Sequence, residues 1–271
     1  MVFQALFGEK GSEKILGGLL SNILGQKVEN ISLESNQNLA GEIPEQKRGI
    51  LDLRAKIGKD TNVNIEVQMV DPHNMFKRML WYWSRIYGIQ IKSGESYSKL
   101  KKTISILIAN YDIEELDYFE DAHTLWQMLE KRNQEIKIFE DIEIHILEMP
   151  KIKKYKKATE KGLNEWLEFL YNPESEEAKM GKKNNEELQE AYKRLEYISQ
   201  DEELRRKADR ELMAILDENS RMEGSREEGI KKGREEGEKI GILKIAKKMK
   251  AKGMKIEEII ELTGLTKEEI E

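Results

Sequence analysis

Within GILDLRAKIGKDTNVNIEVQMV (residues 49–70), an aspartate, a glutamate and a glutamine stand at positions 52, 66 and 68. The turn residues GKDTN divide this stretch into two runs that alternate apolar and polar side chains, the pattern of a β-hairpin. With the turn centred on Lys59, Asp52 faces Glu66, Arg54 faces Asn64 and Lys56 faces Asn62. Strand periodicity then puts Leu51, Leu53, Ala55, Ile65, Val67 and Met69 on one face. Asp52, Arg54, Lys56, Asn64, Glu66 and Gln68 share the other. Directly opposed β-carbons lie about 4.5–5.5 Å apart, so two facing carboxylates repel each other unless a cation lies between them. A hard divalent ion such as Mg²⁺ accepts one or two carboxylates, keeps several waters and neutralises charge developing on a phosphate. Gln68, two residues beyond Glu66, is placed to orient a water. The alternative is a solvated hairpin face with unpaired carboxylates, and the residues alone leave both readings open.

The elements expected to carry this hairpin follow from periodicity. Ile15, Leu16, Leu19, Leu20, Ile23 and Leu24 recur at helical spacing after Ser12, and Gly25 closes that helix. ENISLES (29–35) reads as a short strand, followed by a polar loop over 36–49. After Pro72, Met75, Met79, Tyr82, Trp83, Ile86 and Tyr87 define one face of an aromatic helix that fits packing on a sheet. KTISILIANYDI (102–113) has the continuous apolar run of a buried strand, and DIEIHILEM (141–149) alternates as another. The HTLWQML stretch between them fits strand or helix. The fold class is therefore α/β, a mixed sheet flanked by helices over residues 1–150, with an α-helical C-terminal extension over 151–218. Glycines at 224, 229, 233, 237 and 241 each cost a helix about 1 kcal/mol against alanine, so 219–243 reads as a charged linker or weak helix. Residues 244–271 resemble a helix-turn-helix tail, its second helix capped by Thr266 with Glu269, but that helix offers glutamates where a major-groove reader carries basic or amide groups.

The order of these motifs resembles the PD-(D/E)XK nuclease superfamily, in which an aspartate and a Glu-x-Lys element sit on neighbouring strands. The closer resemblance is to the Rpn family of recombination-promoting nucleases, also classed with transposases. It is carried by FQALFG (3–8), LLSNILG, ILDLRAK, NIEVQ, FKRMLWYWSRIYGIQIKSGESYSKL, IEIHILEMPK and the glycine-rich EEGIKKGREEG, and so runs over nearly the whole chain. The resemblance implies a restriction-endonuclease-like fold and Mg²⁺- or Mn²⁺-dependent hydrolysis of DNA. It makes Asp52 and Glu66 metal ligands, adds the Val67 carbonyl, and places Gln68 where the superfamily has lysine. Glutamine supplies no positive charge, so the metal, Lys56 or Arg78 must do more. Only Met1 and Val2 precede FQALFG, where relatives carry further residues including an aspartate, which makes Glu13 a candidate extra acid. The rival implication is a catalytically inactive DNA-binding or oligomerising scaffold that keeps the fold, with the C-terminal helical tail as a homo-oligomer interface.

The totals bound these readings. The 271 residues include no cysteine, excluding disulfides and thiolate chemistry, and the net charge of −6 opposes a surface that is one large phosphate trap. No apolar run approaches a membrane span and the amino end lacks a basic leader, so a cytoplasmic protein is expected. In KIKKYKK (151–157), Lys153 and Lys154 are candidates for phosphate contacts with Tyr155 available to stack, against the reading of a solvated surface. The three histidines show no metal-ligand spacing, although His145 shares a strand face with Glu143 and Leu147. Glu148 and Lys151 mimic Glu-x-Lys, but their spacing puts them on opposite faces of a strand.

Overall fold

A computed structural model describes residues 2–34, 53–71, 74–155 and 159–270. The chain divides into two compact units, Met1–Glu211 and Leu212–Glu271. The first unit opens with helices α1 (Val2–Phe7) and α2 (Glu13–Leu24) and strands β1 (Ile31–Glu34), β2 (Leu53–Ile57) and β3 (Thr61–Gln68). Helix α3 (Met75–Gly88) leads to β4 (Lys102–Ala109), and β5 (His123–Met128) and β6 (Phe139–Glu148) complete the sheet. Helices α4 (Lys151–Lys154), α5 (Lys161–Tyr171), α6 (Glu176–Lys182) and α7 (Glu186–Gln200) follow, and then the long α8 (Glu202–Ala251) begins.

Among the described residues the sheet has the order β1-β2-β3-β4-β6-β5. β3, β4 and β6 are parallel neighbours, while β1, β2 and β5 pair antiparallel, giving the mixed sheet that the patterning predicts. The hairpin register is also as expected: Arg54 faces Asn64 and Lys56 faces Asn62. Asp52, expected to face Glu66, lies outside the described residues. Gly58 adopts φ 57° in the turn, a left-handed conformation that glycine enters without steric cost.

The two faces of the sheet are covered differently. Leu53, Ala55, Val63 and Ile65 join the main core with residues of α1, α2, α5 and α7, Trp166 among them. Residues 161–200, read from the sequence as part of an extension, thus supply one side of the main core, since their amphipathic faces have the sheet to cover. Met69 lies beyond the end of β3 and is exposed, not in the core face as expected. On the opposite face, α3 lays Met75 and Met79 against Leu107, Ala109 and Ile146.

That packing corrects the picture of a solvated polar hairpin face. Asn64 and Glu66 are each only 2% exposed, and Asn62 and Arg54 are buried with them. Burial is made tolerable where these groups find polar partners on neighbouring strands. Ser105 Oγ donates to Asn64 Oδ1 at 2.7 Å, and Arg54 and Lys56 both reach the Glu34 carboxylate, at 3.0 and 2.6 Å.

One further expectation is overturned and two open alternatives are decided. Glu148 and Lys151 meet at 2.6 Å and are each 1% exposed, because β6 ends at Glu148 and the chain turns through Pro150 before Lys151. HTLWQM forms the edge strand β5, tied down by a polar chain beneath it: His123 Nε2 to His145 Nδ1 (2.8 Å), His145 Nε2 to Glu143 (2.9 Å) and Lys102 Nζ to Glu143 (2.6 Å). Finally, the glycine-rich stretch lies within α8 and is helical. Ion pairs one turn apart, Glu228 with Lys232 and Arg234 with Glu238, support it there.

The second unit contains the rest of α8 with α9 (Ile256–Thr263) and α10 (Lys267–Ile270). Ala246, Ile259, Leu265 and Ile270 form its small core. The expected cap is present in both directions, Thr266 N–H to Glu269 and Glu269 N–H to Thr266 Oγ1. Among the described residues, no helix is long and apolar enough to cross a membrane.

Candidate active site

Glu66 occupies the seventh decade of the chain near the C-terminal end of β3, where parallel strands of α/β sheets commonly present functional groups. Its neighbours come from three elements. Gln68, on the same strand face, donates from Nε2 to Glu66 Oε1 at 3.1 Å. Arg78, in the first turn of α3, places Nη2 2.5 Å from that same oxygen. Tyr82, one helical turn further on, supports Arg78: the guanidinium lies 5.6 Å from the ring centroid, with Nη2 3.4 Å from the hydroxyl.

Tyr111 completes this side of the site. It follows β4, and its hydroxyl is buried with no hydrogen-bond partner among the described residues. Burial pushes its phenol well above the usual range; the charges of Asp71, Glu66 and Glu148 act in the same direction and Arg78 opposes them. A cleft of about 320 Å³, lined by Asp71, Asn74, Lys77, Tyr111 and Glu114, opens at this end of the sheet. Tyr111 and Asp71 are absent from the sequence-derived set. The available signal was the placement of NYD just after a buried parallel strand, a position that recurs in ligand sites of open sheets.

The structure therefore brings Glu66, Gln68 and Arg78 together. Val67 turns its side chain to the main core, leaving only its backbone to the polar side. Glu13 sits at the start of α2, where its carboxylate accepts the Gly11 N–H at 2.8 Å. The apolar face of α2 packs against the sheet face opposite Glu66, so Glu13 is not part of the cluster. Lys56 is engaged with Glu34.

Lys153 and Lys154 are likewise occupied, by Glu168 and Asp112, each at 2.6 Å. Tyr155 is partly buried and packs against the main core. Lys156 and Lys157 lie outside the described residues. Among the described residues, no group of three or more His, Asp or Glu side chains is arranged to hold a metal ion.

A family model for the PD-(D/E)XK nuclease family transposase matches residues 1–225. The chain belongs to that family. Searches of curated proteins and of solved structures return no match. For a PD-(D/E)XK family transposase, the mixed sheet with its β2–β3 hairpin and covering helices is the expected restriction-endonuclease-like scaffold. The match takes in the whole of the first unit and ends inside α8, so the small core of α8, α9 and α10 lies mostly beyond it. Membership supports a nuclease or transposase type of function.

Proposed function

We propose that this protein is a metal-dependent DNA endonuclease that adds water across a phosphodiester bond, with Mg²⁺ or Mn²⁺ as its ion. The observation that carries the reading is the cluster of Glu66, Gln68 and Arg78 on the polar face of the β2–β3 hairpin, the face to which strand alternation in the sequence assigns Asp52. Its side chains fit a hard ion: the available donors are carboxylate and amide oxygens, with no thiolate in the chain. Asp52, Glu66 and the Val67 carbonyl would hold that ion. When bound, it acidifies water and neutralises negative charge on the phosphate.

The protein's own groups do the rest. The Gln68 amide orients a water, and Arg78 exchanges its contact with Glu66 for the phosphate, supplying the positive charge that glutamine lacks. The Tyr111 hydroxyl, buried beside these charges, is available as a donor to a phosphate oxygen. DNA is the substrate in the cytoplasm, and by family resemblance the role is recombination or defence against foreign DNA.

The Arg78–Glu66 pair also gives specific support to a second reading, in which a cation of the protein permanently replaces the metal and the fold serves as a non-catalytic DNA-binding scaffold. Thermal melts with Mg²⁺, Mn²⁺ or EDTA separate the two. The endonuclease reading requires an ion-dependent rise in Tm that disappears in Asp52→Ala and Glu66→Ala. An unchanged Tm at millimolar ion favours the scaffold.

A further inference from the structure

We propose that the exposed edge of β5 is a homodimer interface, in which two copies of the chain pair their β5 strands antiparallel about a two-fold axis. β5 ends the sheet on one side, and its sequence HTLWQM carries no lysine, acid or proline. Those are the residues by which edge strands usually discourage pairing. The opposite edge, β1, is only four residues long and carries Glu34. A register irregularity between Gln127 and Met128 confines the distortion of β5 to its last residues. Leu125 (50%), Trp126 (43%) and Met128 (51%) are exposed along β5, with Phe139 (56%) beside them on β6. Beneath it, the His123–His145–Glu143–Lys102 chain fixes the strand as a firm template.

Charge identifies the occupant as a second copy. Glu120 and Asp121 precede β5, while Lys131 and Arg132 follow it. All four are exposed, and none forms an ion pair among the described residues. Glu130, which would dilute the basic end, is turned into its own loop by the N–H groups of Arg132 and Asn133, at 2.9 and 2.6 Å.

Antiparallel pairing of identical strands sets the entry of each copy beside the exit of the other, so acid meets base at both ends. Centred on Trp126, the pairing brings Glu120 level with Arg132 and Asp121 level with Lys131. The two Trp126 side chains then adjoin at the axis. Each already borders an apolar cleft of about 350 Å³, lined by Met79, Leu80, Leu116, Ile144 and Ile146, which the partner's apolar side chains would cover. A foreign strand of uniform charge would satisfy only one end. The inference does not depend on whether the site hydrolyses DNA.

Sedimentation velocity of the full chain over a concentration series tests this, using two charge variants. One carries Lys131→Glu and Arg132→Glu; the other carries Glu120→Lys and Asp121→Lys. The wild type is expected to be a dimer, and each variant alone should dimerise at least tenfold more weakly, because like charges then meet at both ends. An equimolar mixture should recover the dimer, since the all-acidic copy complements the all-basic one. That recovery also shows that both variants fold. A monomeric wild type, a dimer indifferent to both reversals (held elsewhere, as by the C-terminal helices), or a mixture that stays monomeric overturns the proposal.

Discussion

Lys151→Met should be among the most destabilising single substitutions in the first unit. The Lys151 ammonium makes three short contacts: Glu148 Oε2 at 2.6 Å, and the carbonyls of Leu116 and Phe119 at 2.9 and 2.8 Å. Glu148 Oε1 accepts the Ile113 N–H at 2.9 Å, so the pair pins the chain between β4 and β5 to the end of β6. The two side chains are only 2% and 1% exposed. Methionine keeps most of the volume but leaves a carboxylate buried against one N–H, with two carbonyls losing their donor. Breaking a buried pair in this way costs about 3–5 kcal/mol, a large part of the roughly 5–15 kcal/mol that holds a domain folded. In a unit of this size, about 2–4 °C of Tm is lost per kcal/mol.

The double variant Glu148→Gln/Lys151→Met removes both charges and retains an acceptor for Ile113, so it should regain about half of the loss or more. Urea titration followed by tryptophan fluorescence is the assay, because Trp81, Trp83, Trp126 and Trp166 all lie in the first unit. A single variant that loses under about 1 kcal/mol, or a double variant as unstable as the single, would refute the buried-pair argument.

Acid should weaken β5. Burial lowers His123 from 6.5 to about 4, and the neighbouring His145 adds to the effect. Between those pH values the unfolded chain takes up a proton that the folded one does not, so stability present above pH 6.5 is lost as pH falls to 4. The shift corresponds to about 3 kcal/mol, and His123→Gln should flatten that part of a Tm-against-pH profile. Glu143, held at about 2 by His145 and Lys102 despite its burial, extends the loss below pH 4.5. Lys153→Ala and Lys154→Ala should change duplex affinity less than twofold in an anisotropy titration, because Glu168 and Asp112 already engage these lysines; a drop of tenfold or more would restore them as phosphate contacts. Gly229→Ala, Gly233→Ala and Gly237→Ala should each stabilise α8 by about 1 kcal/mol in circular-dichroism melts, since an added methyl meets nothing within 4 Å; destabilisation would reveal a partner packed on that stripe.

How much of this was legible in the sequence depended on range. The pairing of Arg54 with Asn64 is a local consequence of turn position and strand alternation, and it was readable. The capping box at Thr266 and Glu269 is local in the same way. The burial of Asn64 and Glu66 was not readable, because it depends on where α3 lies, and helical periodicity tells which face α3 buries without saying against which strands. Arg78 could be nominated for its charge, but its reach to Glu66 is a matter of packing. Glu148 and Lys151 were misread because strand periodicity was extended through Pro150, where the chain turns. The glycine stretch was left between linker and weak helix because counting glycines gives no weight to the glutamates, lysines and arginines that pair between them.

If the polar face of the β2–β3 hairpin is a hydrolytic site, cleavage must depend on its carboxylates. The most direct measurement is nicking of supercoiled plasmid by purified protein with Mg²⁺, Mn²⁺ or EDTA, beside Asp52→Ala and Glu66→Ala. Ion-dependent conversion to open-circular or linear DNA, abolished in both variants, is the expected result. Absence of cleavage with either ion, or cleavage that survives both substitutions, would contradict it.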